Sequence, residues 1–74
     1  MANDGAVVIE RLLAEREASE MLGCSVALLR KMRRHGNGPT YCKIGSLVRY
    51  PLADLQVFIH QRRVESELSN GEQQ

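Results

Sequence analysis

The stretch Glu15–His35 reads EREASEMLGCSVALLRKMRRH, and it decides the fold. Its spacing of apolar residues predicts a short helix over 15–22. Gly23 stands where a chain often leaves a helix in the left-handed conformation, which costs little only for glycine. Ser25 is a favourable N-cap, because its hydroxyl can accept a hydrogen bond from the first turn of a second helix over 26–35. The stretch therefore predicts two short helices joined by a tight turn.

Two strands and a third helix are predicted downstream of this pair. The run Gly36–Pro39, GNGP, ends the second helix. Segments 40–44 and 47–50 are rich in strand-forming residues, and Gly45-Ser46 between them is a loop of the kind that closes a β-hairpin. Pro51 fits the first turn of a third helix. The amphipathic face of that helix carries Leu52, Leu55, Phe58, Ile59 and Arg62.

The core and the chain ends complete the predicted domain. Segment 9–13 predicts a short strand or lead-in whose Leu12 and Leu13 enter the core. They are joined there by the apolar face of the first helix, Ala18, Met21 and Leu22. Residues 1–8 and 64–74 are predicted to be flexible ends around one domain over 9–63. The fold class is therefore mainly α with a small β-hairpin.

Length and composition fit one small intracellular domain. The 74 residues are 43% hydrophobic and 26% charged, which is ordinary for a globular chain. No apolar run approaches the roughly 20 residues of a membrane-spanning helix, and no secretory signal is visible. Cys24 and Cys42 are too few for a disulfide scaffold. An enzyme is not expected at this length.

The net charge of +1 conceals a basic middle segment. Residues 26–63 hold eight Lys and Arg residues against one acid, Asp54, whereas acids predominate in 1–25 and 64–74. A segment with a net charge of +7 is a candidate polyanion-binding surface. A solvated basic face that opposes nearby acids is the alternative that charge alone leaves open.

The second helix divides into an apolar side and a basic side. On a helical wheel, the apolar side carries Ser25, Leu29 and Met32. Leu28 lies at its margin. The opposite side, at i, i+3, i+4 and i+7 spacing, carries Ala27, Arg30, Lys31 and Arg34. A small residue permits close approach and the cations reach guanine edges or phosphates, so this side fits a major groove. Arg33 lies nearer the apolar side, and we expect it to run along the core to a phosphate or to solvent.

The cations also have a structural interpretation, because a helix C-terminus favours positive charge. Four basic residues within 30–34 exceed what capping requires, and no acid on the same helix stands four residues away to pair with them. The downstream hairpin is itself basic at Lys43 and Arg49. The order of elements therefore predicts a winged helix-turn-helix, in which the second helix reads DNA and the hairpin lies against the backbone or minor groove.

The sequence gives little support for metal binding, catalysis or nucleotide binding. The spacings of the cysteines and histidines, Cys24, His35, Cys42 and His60, match no zinc-finger signature. No base supports a nucleophile, and no phosphate-binding glycine loop leads from a strand into a helix. We therefore predict no metal, no cofactor and no catalytic residue.

Beyond these patterns, Leu12–Arg62 resembles the small winged helix-turn-helix proteins of the MerR-like excisionase and AlpA-type regulator group. The matching stretches are LLAEREASEMLGCS, LLRKMRRHGNGPTYCKIGSLVRYP and DLQVFI, which begin at residues 12, 28 and 54. The resemblance implies a bacterial or phage-encoded, cytoplasmic, nucleoid-associated protein that either directs excision by an integrase or regulates transcription. The chain departs from the family at Ala14, where Thr commonly caps the first helix, and at Ser46 and Leu47, where arginines are common.

These observations predict a sequence-specific site for double-stranded DNA formed by Ser25, Ala27, Arg30, Lys31, Arg33, Arg34, Lys43, Ser46 and Arg49. The alternative is a module that binds a recombinase or another protein through exposed Leu28 and Leu47. We expect instead that Leu47 packs under the wing and that Leu28 covers the core edge. Because one short helix covers few base pairs, copies are expected to bind DNA cooperatively, with Gln61–Arg63 and the acidic tail as contacts.

Overall fold

The computed structural model describes residues 10–65, which form three helices and three strands. In chain order they are β1 (Leu12–Leu13), α1 (Glu15–Leu22), α2 (Val26–His35), β2 (Cys42–Ile44), β3 (Leu47–Pro51) and α3 (Leu52–Gln61). This order confirms the predicted succession of helix, turn, helix, hairpin and helix. The predicted flexible ends lie outside the described residues, except for Val64 and Glu65.

The turn between α1 and α2 is closed by main-chain hydrogen bonds. Gly23 has a φ of 72°, a left-handed conformation that a side chain would strain. Its N–H donates to the carbonyl oxygen of Glu20, and the N–H of Cys24 donates to that of Ser19 at 2.9 Å. These bonds satisfy the last carbonyl groups of α1 and set the direction in which α2 begins.

The three strands form one antiparallel sheet in the order β1-β3-β2. In β1, Leu13 lies opposite Tyr50 of β3. In the hairpin, Lys43 lies opposite Val48 and Ile44 lies opposite Leu47. The hairpin β2–β3 is the wing, and β3 at the centre of the sheet connects it to the core.

Five elements each contribute one buried apolar side chain to the core. These side chains are Leu13, Ala18, Leu29, Tyr50 and Leu55, from β1, α1, α2, β3 and α3. Partly buried residues pack around them, namely Leu22, Cys24, Met32, Val48 and Leu52. Because Leu29 and Tyr50 share this core, α2 and the wing are held in a fixed relation.

Several sequence predictions about local packing are wrong. Leu12 is 37% exposed, because successive strand residues point to opposite faces and its neighbour takes the core side. Met21 is 45% exposed, and the hydroxyl of Ser19 is buried on α1 instead. Pro51 ends β3 and occupies the N-cap of α3 rather than its first turn. Strand β2 begins at Cys42, two residues later than the composition predicts.

The chain therefore has a winged helix-turn-helix fold, in which α1 and α2 form the helix-turn-helix and β2–β3 forms the wing. Helix α3 follows the wing directly, and the N–H of Leu52 donates to the carbonyl oxygen of Arg11 at 2.8 Å. Within residues 10–65, the structure contains no helix with the length and apolar character that a membrane crossing requires.

Candidate nucleic-acid interface

Helix α2 is held at its start by Ser25 and along its inner side by Leu29. The backbone of Ser25 is extended, and its Oγ accepts a hydrogen bond from the N–H of Leu28 at 3.0 Å. This contact confirms Ser25 as the N-cap. Leu29 has no exposed surface. Because one side of α2 is anchored in the core, the opposite side faces solvent.

The outward side of α2 carries the four residues that the helical wheel grouped there. All of them are exposed: Ala27, Arg30, Lys31 and Arg34. The last turn of α2 is basic, so the negative end of the helix dipole is compensated there. The division into an inner apolar side and an outer basic side is confirmed, and DNA contact by the outer side stays a prediction.

A carboxylate from α1 binds two arginines of α2. Oε1 of Glu15 lies 2.8 Å from Nη2 of Arg30, and its Oε2 lies 2.7 Å from Nη1 of Arg33. Nε of Arg30 also donates to both carboxylate oxygens at 3.2 Å. No acid on α2 itself stands four residues from these cations, as the sequence shows, but Arg30 and Arg33 are nevertheless paired. Their partner comes from the first turn of the neighbouring helix.

Arg33 connects the helix-turn-helix to the wing. Its Nη1 donates to the hydroxyl of Tyr50 at 2.9 Å as well as to Glu15, and its guanidinium lies 5.6 Å from the centre of the Tyr41 ring. Only 21% of the side chain is exposed. The expected path of Arg33 along the core to solvent or a phosphate is wrong, because Glu15 and Tyr50 hold its guanidinium between α1, α2 and β3.

The ion pairs stabilise the charged forms of all three partners. Hydrogen bonds from Arg30 and then from Arg33 lower the pKa of Glu15 from 4.5 to about 2. The bond to Glu15 raises the pKa of each arginine, and the bond to Tyr50 raises that of Arg33 further. Glu15 is therefore a permanently ionised acceptor at neutral pH.

The predicted wing contacts differ in how freely they meet solvent. Lys43 in β2 and Ser46 in the turn are exposed, whereas Arg49 in β3 is half-buried. Nη1 of Arg49 donates to the carbonyl oxygen of Val48 at 2.9 Å. Within residues 10–65, Arg49 has no acidic partner. Its charge therefore remains available to an anion.

Three apolar side chains lie in exposed positions on α2 and the wing. Leu28 is 44% exposed and Leu47 is 50% exposed, so the expectation that both are packed away is wrong. Leu47 lies opposite Ile44, which is itself 52% exposed. Strand alternation gives the core side to Val48 and leaves this opposing pair on the other face near the tip of the wing.

A cleft of about 480 Å³ lies between the first turn of α1, helix α2 and the wing. It brings together four of the predicted contact residues, Arg30, Arg33, Ser46 and Arg49. The remaining five are not among its lining residues: Ser25, Ala27, Lys31, Arg34 and Lys43. Arg16 also lines the cleft, and sequence reasoning missed it because it treated α1 as an acidic helix. Only the proximity of α1 to the wing reveals this arginine.

The described residues also bear on metal binding. Within residues 10–65, no three His, Cys, Asp or Glu side chains are grouped so that they could hold a metal ion. Cys24 and Cys42 are free thiols, each of them half-buried.

Comparison with protein families agrees with the geometry. A family model described as a helix-turn-helix domain matches residues 12–63. The matched range includes α1, α2, the wing and α3. Searches of curated proteins and of solved structures gave no match.

Proposed function

Because the chain belongs to the helix-turn-helix domain family, which supports double-stranded DNA binding, we propose that it is a sequence-specific DNA-binding protein. In this proposal α2 enters the major groove, and the hairpin over 40–50 acts as a wing beside it. Families of this kind are generally not enzymatic. The proposed function needs no cofactor, because recognition depends on side chains and backbone alone.

The outer side of α2 is the observation that carries this proposal. It presents one small residue and three cations on a helix that is capped at Ser25 and anchored by Leu29. Ala27 stands near the N-terminus of α2, where it permits close approach to base edges. A rigid, basic and outward helix of this kind suits major-groove reading.

The residues divide into three roles in the proposed complex. Arg30 or Lys31 reads bases, because both stand in the middle of the outer side of α2; Lys31 would do so with its whole ammonium group, and Arg30 with Nη1, since Glu15 binds its Nε and Nη2. Phosphates are contacted by Ser25, Arg34, Lys43, Ser46 and Arg49. Arg33 supports binding indirectly, since its guanidinium is engaged by Glu15 and Tyr50 and holds α2 against the wing.

The finer biological role that we propose rests on the resemblance to MerR-like excisionases and AlpA-type regulators. The protein would act in the bacterial cytoplasm, encoded by a phage or a chromosome and associated with the nucleoid. It would either direct excision by an integrase at an attachment site or regulate transcription of neighbouring genes. An integrase gene beside its own gene would favour the first role.

Binding selection from a duplex library tests sequence specificity. The tightest-binding duplex and an unrelated duplex of equal length are titrated with Lys31→Ala, Arg30→Ala and Lys43→Ala variants, and binding is followed by fluorescence anisotropy. A variant that lacks a base-reading residue is expected to lose about 1–3 kcal/mol of the preference for the selected duplex over the unrelated one. Lys43→Ala is expected to weaken both duplexes alike, because a phosphate contact carries no sequence information.

Arg11→Ala is the matched control for these variants. Arg11 is an exposed arginine outside the cleft, and its loss should leave both affinities nearly unchanged. If Arg30→Ala and Lys31→Ala each weaken the two duplexes by one common factor, neither residue reads bases. If the library yields no preferred sequence, the protein binds DNA without specificity and the proposal is wrong in that respect.

A second candidate function is favoured by the exposed apolar residues Leu28, Ile44 and Leu47. They would form contacts with a recombinase or with a second copy of the chain on neighbouring DNA, together with Gln61–Arg63 at the end of α3. Leu47→Ser should then lower the cooperativity of binding to a duplex with two adjacent sites while single-site affinity is kept. Equal cooperativity in the variant would remove Leu47 from this contact.

A further inference from the structure

The cleft between α1, α2 and the wing is strongly basic. Four guanidinium groups line it, those of Arg16, Arg30, Arg33 and Arg49, together with one carboxylate, that of Glu15. Four positive charges against one negative charge give the cleft a formal charge of +3. A concave surface with this charge attracts an anion more strongly than the same arginines would when spread over a flat surface.

Glu15 neutralises only the inner part of the cleft. It binds Arg33 and the Nε–Nη2 edge of Arg30, which leaves Nη1 of Arg30 without a hydrogen bond inside the described range. Neither Arg16 nor Arg49 forms an ion pair within residues 10–65. Arg16 is exposed, and Arg49 donates only to a main-chain carbonyl oxygen. The outer part of the cleft therefore keeps uncompensated positive charge.

We propose that this cleft binds one phosphodiester group of the DNA backbone, with Arg16 and Arg49 as its ligands. This inference rests on the proposed function. The planar guanidinium donors match the geometry of phosphate oxygens, and phosphate contacts fix the register of a protein on a duplex. With α2 in the major groove and the wing beside it, the sugar-phosphate backbone passes between them, which is where the cleft lies.

Glu15 is a positioning residue in this site. Four cations in one cleft repel each other, and a single carboxylate that binds two of them lowers that repulsion. Its two carboxylate oxygens accept from Nε and Nη2 of Arg30, and this bidentate contact also fixes the direction of the Arg30 side chain. Arg30 therefore meets the DNA from a set position, with its Nη1 edge free, while Arg16 and Arg49 neutralise the phosphate.

The test compares cleft variants of the full chain by fluorescence anisotropy. Arg16→Ala and Arg49→Gln are titrated with the duplex selected from the library and with an unrelated duplex, over a series of salt concentrations. Each variant should lose about tenfold in affinity for both duplexes at about 0.1 M salt, and its slope of log K against log salt should become shallower by at most about one, because the two arginines share one phosphate. Arg11→Ala, with its side chain 69% exposed outside the cleft, should show neither change.

Phosphate replacement locates the contact on the DNA. Single backbone phosphates of the selected duplex are replaced by neutral methylphosphonates, one position at a time. One replacement should weaken the wild-type protein strongly and the Arg16→Ala variant much less, because only Arg49 then remains to contact that phosphate. Arg16→Lys should recover the salt slope, because it restores the charge without the planar donor pair.

The possible failures of the site and of DNA binding are distinguishable. If the wild-type protein and the Arg11→Ala variant bind DNA but Arg16→Ala behaves like them at every salt concentration, the cleft holds no phosphate. The same conclusion follows if every methylphosphonate position affects wild type and Arg16→Ala equally. If the folded wild-type protein binds no duplex at low salt, the proposed function fails and this site fails with it. Circular dichroism establishes that each variant is folded. If Arg49→Gln is not folded, the test of the phosphate site rests on Arg16→Ala alone.

Discussion

The Glu15→Gln substitution is expected to lower the stability of the fold at neutral pH. Gln keeps the size of the side chain but removes the charge that binds Arg30 and Arg33. The larger loss is at Arg33, because its guanidinium is mostly enclosed and is left with neutral acceptors alone, the hydroxyl of Tyr50 and the amide oxygen of the new Gln. A partly buried charge that loses a charged partner destabilises the folded state.

The size of the expected stability loss in Glu15→Gln follows from the pKa of Glu15. Its fall from 4.5 to about 2 corresponds to at most about 3.5 kcal/mol, since one unit of pKa is about 1.4 kcal/mol. The Glu15 side chain is 20% exposed and that of Arg30 is 54% exposed, so water screens part of this interaction. We therefore expect a net loss of about 1–2 kcal/mol for Glu15→Gln.

The lowered pKa of Glu15 also determines whether the free energy of unfolding rises or falls with pH. The unfolded chain protonates Glu15 near pH 4.5, whereas the folded chain protonates it only near pH 2. Between these values the unfolded state holds more protons, so the free energy of unfolding falls as the pH is lowered. The contribution of Glu15 is fully present above about pH 5.5 and is lost as the pH falls through about 2.

Urea unfolding followed by circular dichroism measures this difference at a series of pH values. The free energy of unfolding of the wild type should exceed that of Glu15→Gln by about 1–2 kcal/mol near pH 7. The two free energies should converge as the pH approaches about 2. Glu20→Gln is the matched control, because Glu20 is an exposed acid of α1 that forms no ion pair within residues 10–65. Parallel pH profiles for wild type and Glu15→Gln would refute the reasoning.

Four further substitutions test local contacts. Ala14→Ser should raise the free energy of unfolding by about 1 kcal/mol in calorimetry, because the N-cap backbone is already extended and lacks a side-chain acceptor; an unchanged Tm would contradict this. Tyr50→Phe should cost about 1–2 kcal/mol in urea unfolding, because Arg33 loses an acceptor, and wild-type stability would show that the bond contributes nothing. Leu29→Ala should lower the free energy of unfolding by about 2–5 kcal/mol, because Leu29 is fully buried. Leu28→Ala, at an exposed site, should lower it by less than about 1 kcal/mol when both variants are compared by thermal unfolding. Equal losses would contradict the packing of α2.

The elements of the fold could be predicted because their signals are local. Ser25 caps α2 through a contact three residues away, and Gly23 and Gly36 end α1 and α2 in left-handed conformations. The turn at Gly45-Ser46 likewise closes the hairpin from within four residues. Signals of this range are readable in a single sequence, so the bounds of α1 and α2 agree with the prediction.

The ion pairs and hydrogen bonds of the candidate interface could not be predicted, because they join residues that are distant in sequence. Glu15 reaches Arg30 and Arg33 across the helix-turn-helix, at separations of 15 and 18 residues. Tyr50 meets Arg33 from a separation of 17 residues. Nothing in the spacing of α2 indicates these partners, and the position of Arg16 in the cleft depends on the same tertiary arrangement.

Double-stranded DNA binding by α2 and the wing is tested most directly by one titration. A labelled duplex pool is titrated with the wild-type protein at several salt concentrations, and binding is followed by fluorescence anisotropy. The expected result is a linear fall of log K with log salt, with a slope of about −4 to −7 that corresponds to about 5–8 neutralised phosphates. A protein that is folded by circular dichroism and binds no duplex even at low salt would contradict the account, and the basic segment would then serve a protein partner.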